Sequence, residues 1–243
     1  MLECNFSYSH YEETLMEIKK NNTFTDFTDT SSKGIILRHD IDYSLEAALK
    51  IAEIEHNLDV KSTYFILFHA ETYNPFSPSS TNIINKILKF GHRLGFHYDM
   101  AYLLQLKSNP SDIIKQELQV LENHFNTSIE VVSAHNPSVN ESLMIKLPST
   151  VVDAYSEEFT KKRKYLSDSV QSWREGCFCG YLKNHEGMQI LTHPIWWTED
   201  NKNINEIKKI LLGGELDSHK KQIDNNFSLY KDYFQNMNKT CSD

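Results

Sequence analysis

The chain lacks a basic surplus, a long apolar run and a recognisable cysteine motif, and each lack excludes something. Lys and Arg total 25 against 33 Asp and Glu, a formal charge of -8. Nucleic-acid phosphates need a basic surface, so no nucleic-acid partner is expected. The one basic run, KKRK (161–164), reads as a solvated loop. No window approaches the ~18 consecutive apolar residues of a membrane span. The opening MLECNFSYSHYEETL has no basic start followed by an apolar stretch, so no secretory signal is read and a cytoplasmic location is expected. Cys4, Cys177, Cys179 and Cys241 form no CxxC pair, and reduced thiols are expected.

What remains is an ordinary globular composition: 40% apolar and 12% aromatic over 243 residues, ample for a sizeable core. No repeat, linker or shift of composition divides the chain, so residues 1–243 are read as a single domain. Short β-rich runs alternate with helix-period runs. GIILRHD (34–40), STYFILF (62–68), RLGFHYD (93–99), IEVVSAH (129–135), STVVDAYS (149–156), KYLSDSV (164–170) and MQILTHP (188–194) read as strands. LEAALKIAEIEH (45–56) sets Leu45, Ala48, Leu49 and Ala52 on one helical stripe. TNIINKILKF (81–90) reads as a helix, as does SDIIKQELQVLENHF (111–125), capped by Ser111 or Asp112 with Ile114, Leu118, Leu121 and Phe125 inward. NINEIKKILLGG and the tail after it also look helical. Such alternation predicts a largely parallel α/β sheet, open or closed as a barrel.

In folds of that kind the working residues gather at the carboxyl ends of the strands. His39, Asp40 and Asp42 end the first strand, His97 and Asp99 the third, His135 the fourth and His193 the last, with Asp168 in a later one. Residues i and i+2 of a strand share a side, so Asp40 and Asp42 face the same way. Two carboxylates so close repel, and one pKa rises unless a cation lies beside them. A divalent metal held by one carboxylate and two imidazoles leaves room for water, whose proton the second aspartate can accept. The alternative is that Asp42 or Ser44 merely caps the helix from Leu45; a cap at Ser44 does not compete with a metal at Asp42.

The order HDID, STYFILF, GHRLGFHYD, SAHNPS, YLSDSVQSW, ILTHP resembles the polysaccharide deacetylases, the NodB-homology or family 4 carbohydrate esterases. The resemblance runs from about Gly34 to Pro194, with an N-terminal extension and C-terminal helices around that core. It implies a distorted (β/α)7 barrel, NodB-like. It also implies hydrolysis of an N- or O-acyl group on a sugar with a divalent metal, usually zinc, cobalt or nickel being possible. Carried over residue by residue, it makes Asp40 the base, Asp42 and His97 metal ligands, and His193 the acid for the leaving amine or the stabiliser of the tetrahedral intermediate. Asp168 then orients His193, and Trp173 lines the acyl pocket.

Two positions depart from that pattern. The second metal histidine falls four residues after His97, where this chain has Ala101, and SAHNPS lacks the third motif's arginine but has His135. An Asp42–His97–His135 metal site is the expectation, with Asp99 the competing third ligand or an outer partner. If neither substitutes, the site is metal-free and inactive. Trp196 and Trp197, beside His193, are placed to stack on a sugar ring or to pack in the core. The loop HAETYNPFSPSS, carrying Tyr73 and Asn74, is placed at the cleft mouth beside His69. His39 is expected to bond outside the metal shell and His92 to be exposed or structural. His10, His56, His124, His185 and His219 are read as surface residues.

The expected function is a metal-dependent hydrolase removing acetyl or formyl from an amino sugar. The substrate is a small molecule or a lipid- or nucleotide-linked precursor for a surface polysaccharide. The alternatives are an amidohydrolase on a non-sugar C–N bond, or an inactive barrel kept as a binding protein or scaffold.

Overall fold

A parallel strand flanked on both sides has no polar face, so its sequence need not alternate. GIILRHDI is such a strand, and all eight of its residues are buried. The computed structural model describes residues 4–214, except 30, 32, 138–144 and 182–186, together with 220, 223 and 224. The chain forms two units, Met1–Lys202 and Asn203–Asp243. In the second, the described residues include a helix at 204–214, as the sequence suggests. No described helix is long and apolar enough to cross a membrane.

The first unit alternates as expected. Helix α1 spans Tyr8–Asn21, then come β1 (Phe24–Thr25), β2 (Gly34–Ile41), α2 (Leu45–Asn57), β3 (Thr63–Leu67), α3 (Pro78–Lys89) and β4 (Arg93–Asp99). They are followed by α4 (Met100–Leu103), α5 (Pro110–Phe125), β5 (Val131–His135), β6 (Val152–Asp153), α6 (Glu157–Thr160), β7 (Lys164–Ser167) and β8 (Gly187–Thr192). Seven strands pair in the order β6-β5-β4-β3-β2-β8-β7, with β1 added beside β2. Every pair is parallel. The sheet curls towards the barrel that the motifs imply, with β6 and β7 as its two edges. Across that seam the rings of Tyr155 and Tyr165 meet at 6.2 Å, and Gln189 Nε2 donates to the carbonyls of Ala154 and Phe159. Gly95 of β4 lies against Phe65 of β3, where a Cβ would come within 2.6 Å of the ring. Only glycine allows that approach.

Local chemistry places the helices, with some shifts from expectation. Ser44 caps α2 by accepting from the Ala47 N–H. Its inner stripe is Leu45, Ala48, Ile51, Ala52 and Glu55, with Leu49 only half-buried. Helix α3 begins at Pro78, because Ser77 caps it and proline suits a first turn. Asn109, not Ser111 or Asp112, caps α5, again with proline at its start. The predicted inward residues of α5 are buried, and Glu117 joins them. STVVDAYS contributes only two paired residues, and KYLSDSV only four.

KKRK is not a uniformly solvated loop. Arg163 is 2% exposed and donates to the carbonyls of Lys33, Gly34 and Asp29, pinning the start of β2. His10 is also buried, not a surface residue. His185 and His219 lie outside the described residues.

Candidate metal centre and acid–base site

Parallel pairing brings strand ends to one rim. Asp40 and His39 lie opposite Phe65 and Thr192, His97 opposite Ser133, and Asp99 opposite His135. Asp42 follows β2, Asp168 follows β7 and His193 follows β8. Residues far apart in sequence are therefore neighbours at the carboxyl edge of the sheet.

One ligand atom each from Asp42, His97 and His135 lies within 4.8 Å of the others. His97 Nδ1 sits 3.0 Å from the Ser133 carbonyl, which can only accept. The ring proton is therefore on Nδ1, and Nε2 keeps its lone pair in the neutral ring. That nitrogen points at Asp42 Oδ1 across 3.3 Å and at Asp40 Oδ2 across 3.6 Å. A carbonyl holding the far nitrogen is the usual way to orient a metal-binding imidazole. Asp42 Oδ1 is buried yet has no aligned hydrogen-bond donor among the described residues, leaving an acceptor for which a cation is the natural partner. His135 Nε2 stands 3.9 Å from Asp42 Oδ2 and takes a hydrogen bond from Asn136 Nδ2. One carboxylate and two imidazoles fit a zinc-type set that leaves a position open. Burial pushes the Asp42 carboxyl up, but the imidazoles of His97, His193 and His135 outweigh it and hold the group well below the usual range.

Asp99, the competing ligand, is engaged elsewhere. Its Oδ1 accepts from the Tyr102 N–H and caps α4, while Oδ2 lies 3.8 Å from His135 Nδ1. It stands on the outer side of that imidazole.

Asp40 is gripped by Arg38, two residues back on the same face of β2. Nε donates to Oδ1 at 2.8 Å and Nη2 to Oδ2 at 2.7 Å, with both side chains buried. The guanidinium lies between the rings of Phe65 and Tyr155, 4.7 and 4.5 Å from their centroids, and also donates to Ser133 Oγ. Burial raises the Asp40 pKa, but Arg38 above all, then His97 and His193, bring it below its ordinary value. Each carboxylate oxygen keeps a second lone pair after the Arg38 bonds.

His193 and Asp168 form the second pair. His193 Nδ1 donates to Asp168 Oδ1 at 2.7 Å, its backbone N–H donates to the same oxygen, and Trp197 Nε1 donates to Oδ2 at 3.0 Å. Burial lowers the His193 pKa, but Asp168 overrides it, raising the ring to about 9. Its free Nε2 faces Asp42 Oδ2 at 3.7 Å.

The remaining predicted residues are placed as follows. Trp196 is 9% exposed, its ring 6.5 Å from His193 and 6.4 Å from Tyr43. Trp173 packs on Phe6 and Phe178. The Tyr73 hydroxyl donates to the Ile41 carbonyl and accepts from the Leu67 N–H, bracing the backbone between the two aspartates. Asn74 turns the loop by accepting from the Phe76 N–H. His69 pairs with Glu117, and His39 points away from Asp40 to Glu55 and Thr192, outside the metal shell. His92 is buried beside Glu55, in a structural place.

One residue and one contact escaped the sequence reading. Arg38 was legible, since the alternation that joins Asp40 to Asp42 also joins Arg38 to both. Trp197, expected to stack on a sugar or pack in the core, is buried; its bond to Asp168 gave no signal, because it depends on how the turn after β8 folds.

Solved structures similar to this chain come from carbohydrate esterase family 4. One is a CE4 family pseudoenzyme from Bacillus anthracis, at 14% identity and a TM-score of 0.42, over 76% of this chain and 63% of that one. The peptidoglycan deacetylase PdaC from Bacillus subtilis matches at 17% and 0.42, over 81% of this chain and 95% of its own. A family 4 acetyl xylan esterase from Clostridium thermocellum, in complex with a cobalt ion, matches at 16% and 0.41, over 76% and 84%. The chain thus spans 63% of the length of the pseudoenzyme. No family model matches the sequence, and no curated protein does. What the site can do follows from its own side chains.

Proposed function

We propose that this protein is a metal-dependent hydrolase that removes a small acyl group from an amino sugar. The observation that carries the reading is the convergence of Asp42, His97 and His135 beside two separately tuned groups, Asp40 and His193. Those three residues would hold a divalent cation, zinc foremost, which would supply Lewis acidity and lower the pKa of a bound water. Asp40, kept ionised by Arg38, accepts the proton of the attacking water. His193, kept protonated by Asp168, carries an Nε2 proton that it can give to the departing amine. Two titratable groups driven in opposite directions are what an acid–base pair requires.

The sugar assignment is supported by Tyr43, 41% exposed, whose ring lies 6.4 Å from that of Trp196, itself 6.5 Å from His193. Trp173 enters the proposal as a wall behind the acyl group, and Tyr73 and Asn74 as the edge of the cleft. A nucleotide- or lipid-linked amino sugar in the cytoplasm is its finer form. The test is acetate and formate release from a panel of free, nucleotide-linked and lipid-linked N-acyl amino sugars, with zinc or cobalt added. Turnover abolished by Asp42→Ala is expected. Cleavage of simple non-sugar amides with every sugar inert would overturn the reading.

A further inference from the structure

Three of the four cysteines, Cys4 and the distant pair Cys177 and Cys179, come together around one imidazole. Sulfur atoms of Cys4, Cys177 and Cys179 and a ring nitrogen of His10 all lie within 4.8 Å of one another. Cys4 and His10 flank the start of α1, and Cys177 and Cys179 flank the first residue of the 3-10 turn Phe178–Tyr181. None of the three sulfurs is in a disulfide. We propose that these four side chains form a structural zinc site, separate from the candidate catalytic centre.

The donor chemistry argues for it first. Three thiolates and one imidazole are a closed, soft, tetrahedral set, with no position left for substrate. Zinc at its usual bond lengths holds such ligand atoms about 3.5–3.8 Å apart, which the observed cluster meets with small side-chain adjustments. The second argument is the state of His10. It is 3% exposed; its Nε2 lies 3.3 Å from Cys177 Sγ, and its Nδ1 has no hydrogen-bond partner among the described residues. Thiols can pack as small apolar groups, but a buried imidazole with a thiol as the only partner of its nitrogens is a poorly satisfied polar group. A metal bond accounts for it. The CxC spacing is tighter than common zinc motifs, so the sequence gives little warning. The site is built by the approach of α1 to the turn, not by one loop.

Its placement says what it would do. Phe178, between the two cysteines, is fully buried against Tyr11, Trp173 and Trp197. His10 stacks on Trp197 at 6.4 Å, and Trp197 donates to Asp168. The metal would clamp the N-terminal segment onto the layer that positions the Asp168–His193 pair.

The test uses full-length protein purified under reducing conditions without chelator. An Asp42→Ala/His97→Ala variant removes ligands of the other centre. It should retain about one zinc per chain by mass spectrometry, and a thiol-directed mercurial should release that zinc. The cobalt-loaded variant should show sulfur-to-cobalt charge-transfer absorption. Cys4→Ser changes an exposed residue and should weaken zinc binding at least about tenfold with unchanged circular dichroism. Wild-type protein needs no substitution to report: its mercurial titration should release zinc as three thiols are consumed. The proposal is overturned if the thiols react without releasing metal, if they are recovered as a disulfide, or if the cobalt form lacks sulfur ligation.

Discussion

Arg38 and Asp40 meet fork to fork at 2.8 and 2.7 Å, two residues apart on one strand and both sealed from solvent. The pair sets the charge of the proposed base, and it makes the first prediction. Arg38→Met leaves a buried carboxylate without its partner, which costs about 3–5 kcal/mol. Chemical denaturation measures that loss, and Arg38→Met/Asp40→Asn should recover part of it. With the guanidinium gone, burial dominates and the Asp40 pKa rises. The acidic limb of the kcat/KM profile should therefore move to higher pH. An unmoved limb removes Asp40 as the base.

Asp168→Asn should act on the opposite limb. Asp168 raises His193 to about 9, so the proton-donating ring persists through neutral pH. Without the carboxylate, burial takes over and the alkaline limb falls towards or below the unperturbed value of about 6.5. A loss of roughly 10²–10⁴ in kcat is expected, read from steady-state rates. Because the folded pKa is the raised one, the stability from this group is complete below about pH 6.5 and fades as pH climbs through about 9.

The metal's third ligand can be decided by two substitutions. His135→Ala should lose the tightly bound metal. Asp99→Asn, changing only the outer side of that imidazole, should weaken binding by about 10–100-fold. Isothermal titration with zinc measures both. The reverse order would hand the ligand role to Asp99.

Acid should unfold the protein through Glu55. This carboxylate, fully buried, accepts hydrogen bonds from Tyr11, His39, Ser62 and Tyr64. Burial raises its pKa, but His39 first and then His92 and Ser62 bring it down to about 2. A depressed carboxylate stabilises above its unfolded pKa, and that stability drains as pH falls towards about 2. The difference is on the order of 3 kcal/mol, and Glu55→Gln should abolish most of this pH dependence between roughly pH 4.5 and 2.

Much of this was readable before any coordinates. Period-two alternation and the strand-end rule locate Asp40, Asp42, His97, His135 and His193, because a parallel sheet leaves few other places for titratable residues. His135 could be proposed as a ligand because the family resemblance implies a histidine where Ala101 stands, and β5 ends beside β4. What was not readable depends on side chains meeting across elements. Trp197 reaching Asp168, Tyr73 bracing Ile41 and Cys4 arriving at Cys177 leave no periodic trace. Arg163 misled, because a run of like charges reads as solvent-facing although one of its members is drawn inward by three carbonyls.

The seam between β6 and β7 divides the site's thermal fate. Asp40, Asp42 and His97 stand on β2 and β4 or directly beyond, inside the sheet, whereas His135 ends the neighbour of β6 and Asp168 follows β7 itself. Edge strands tied across by Gln189 and a pair of tyrosine rings, not by a backbone ladder, open before central ones do. On warming, the support of the proposed proton donor and one proposed metal ligand would thus loosen while the proposed base stays held by Arg38. Heat would then disable the proposed site by halves, loosening His135 and the Asp168–His193 pair while most of the sheet is still intact.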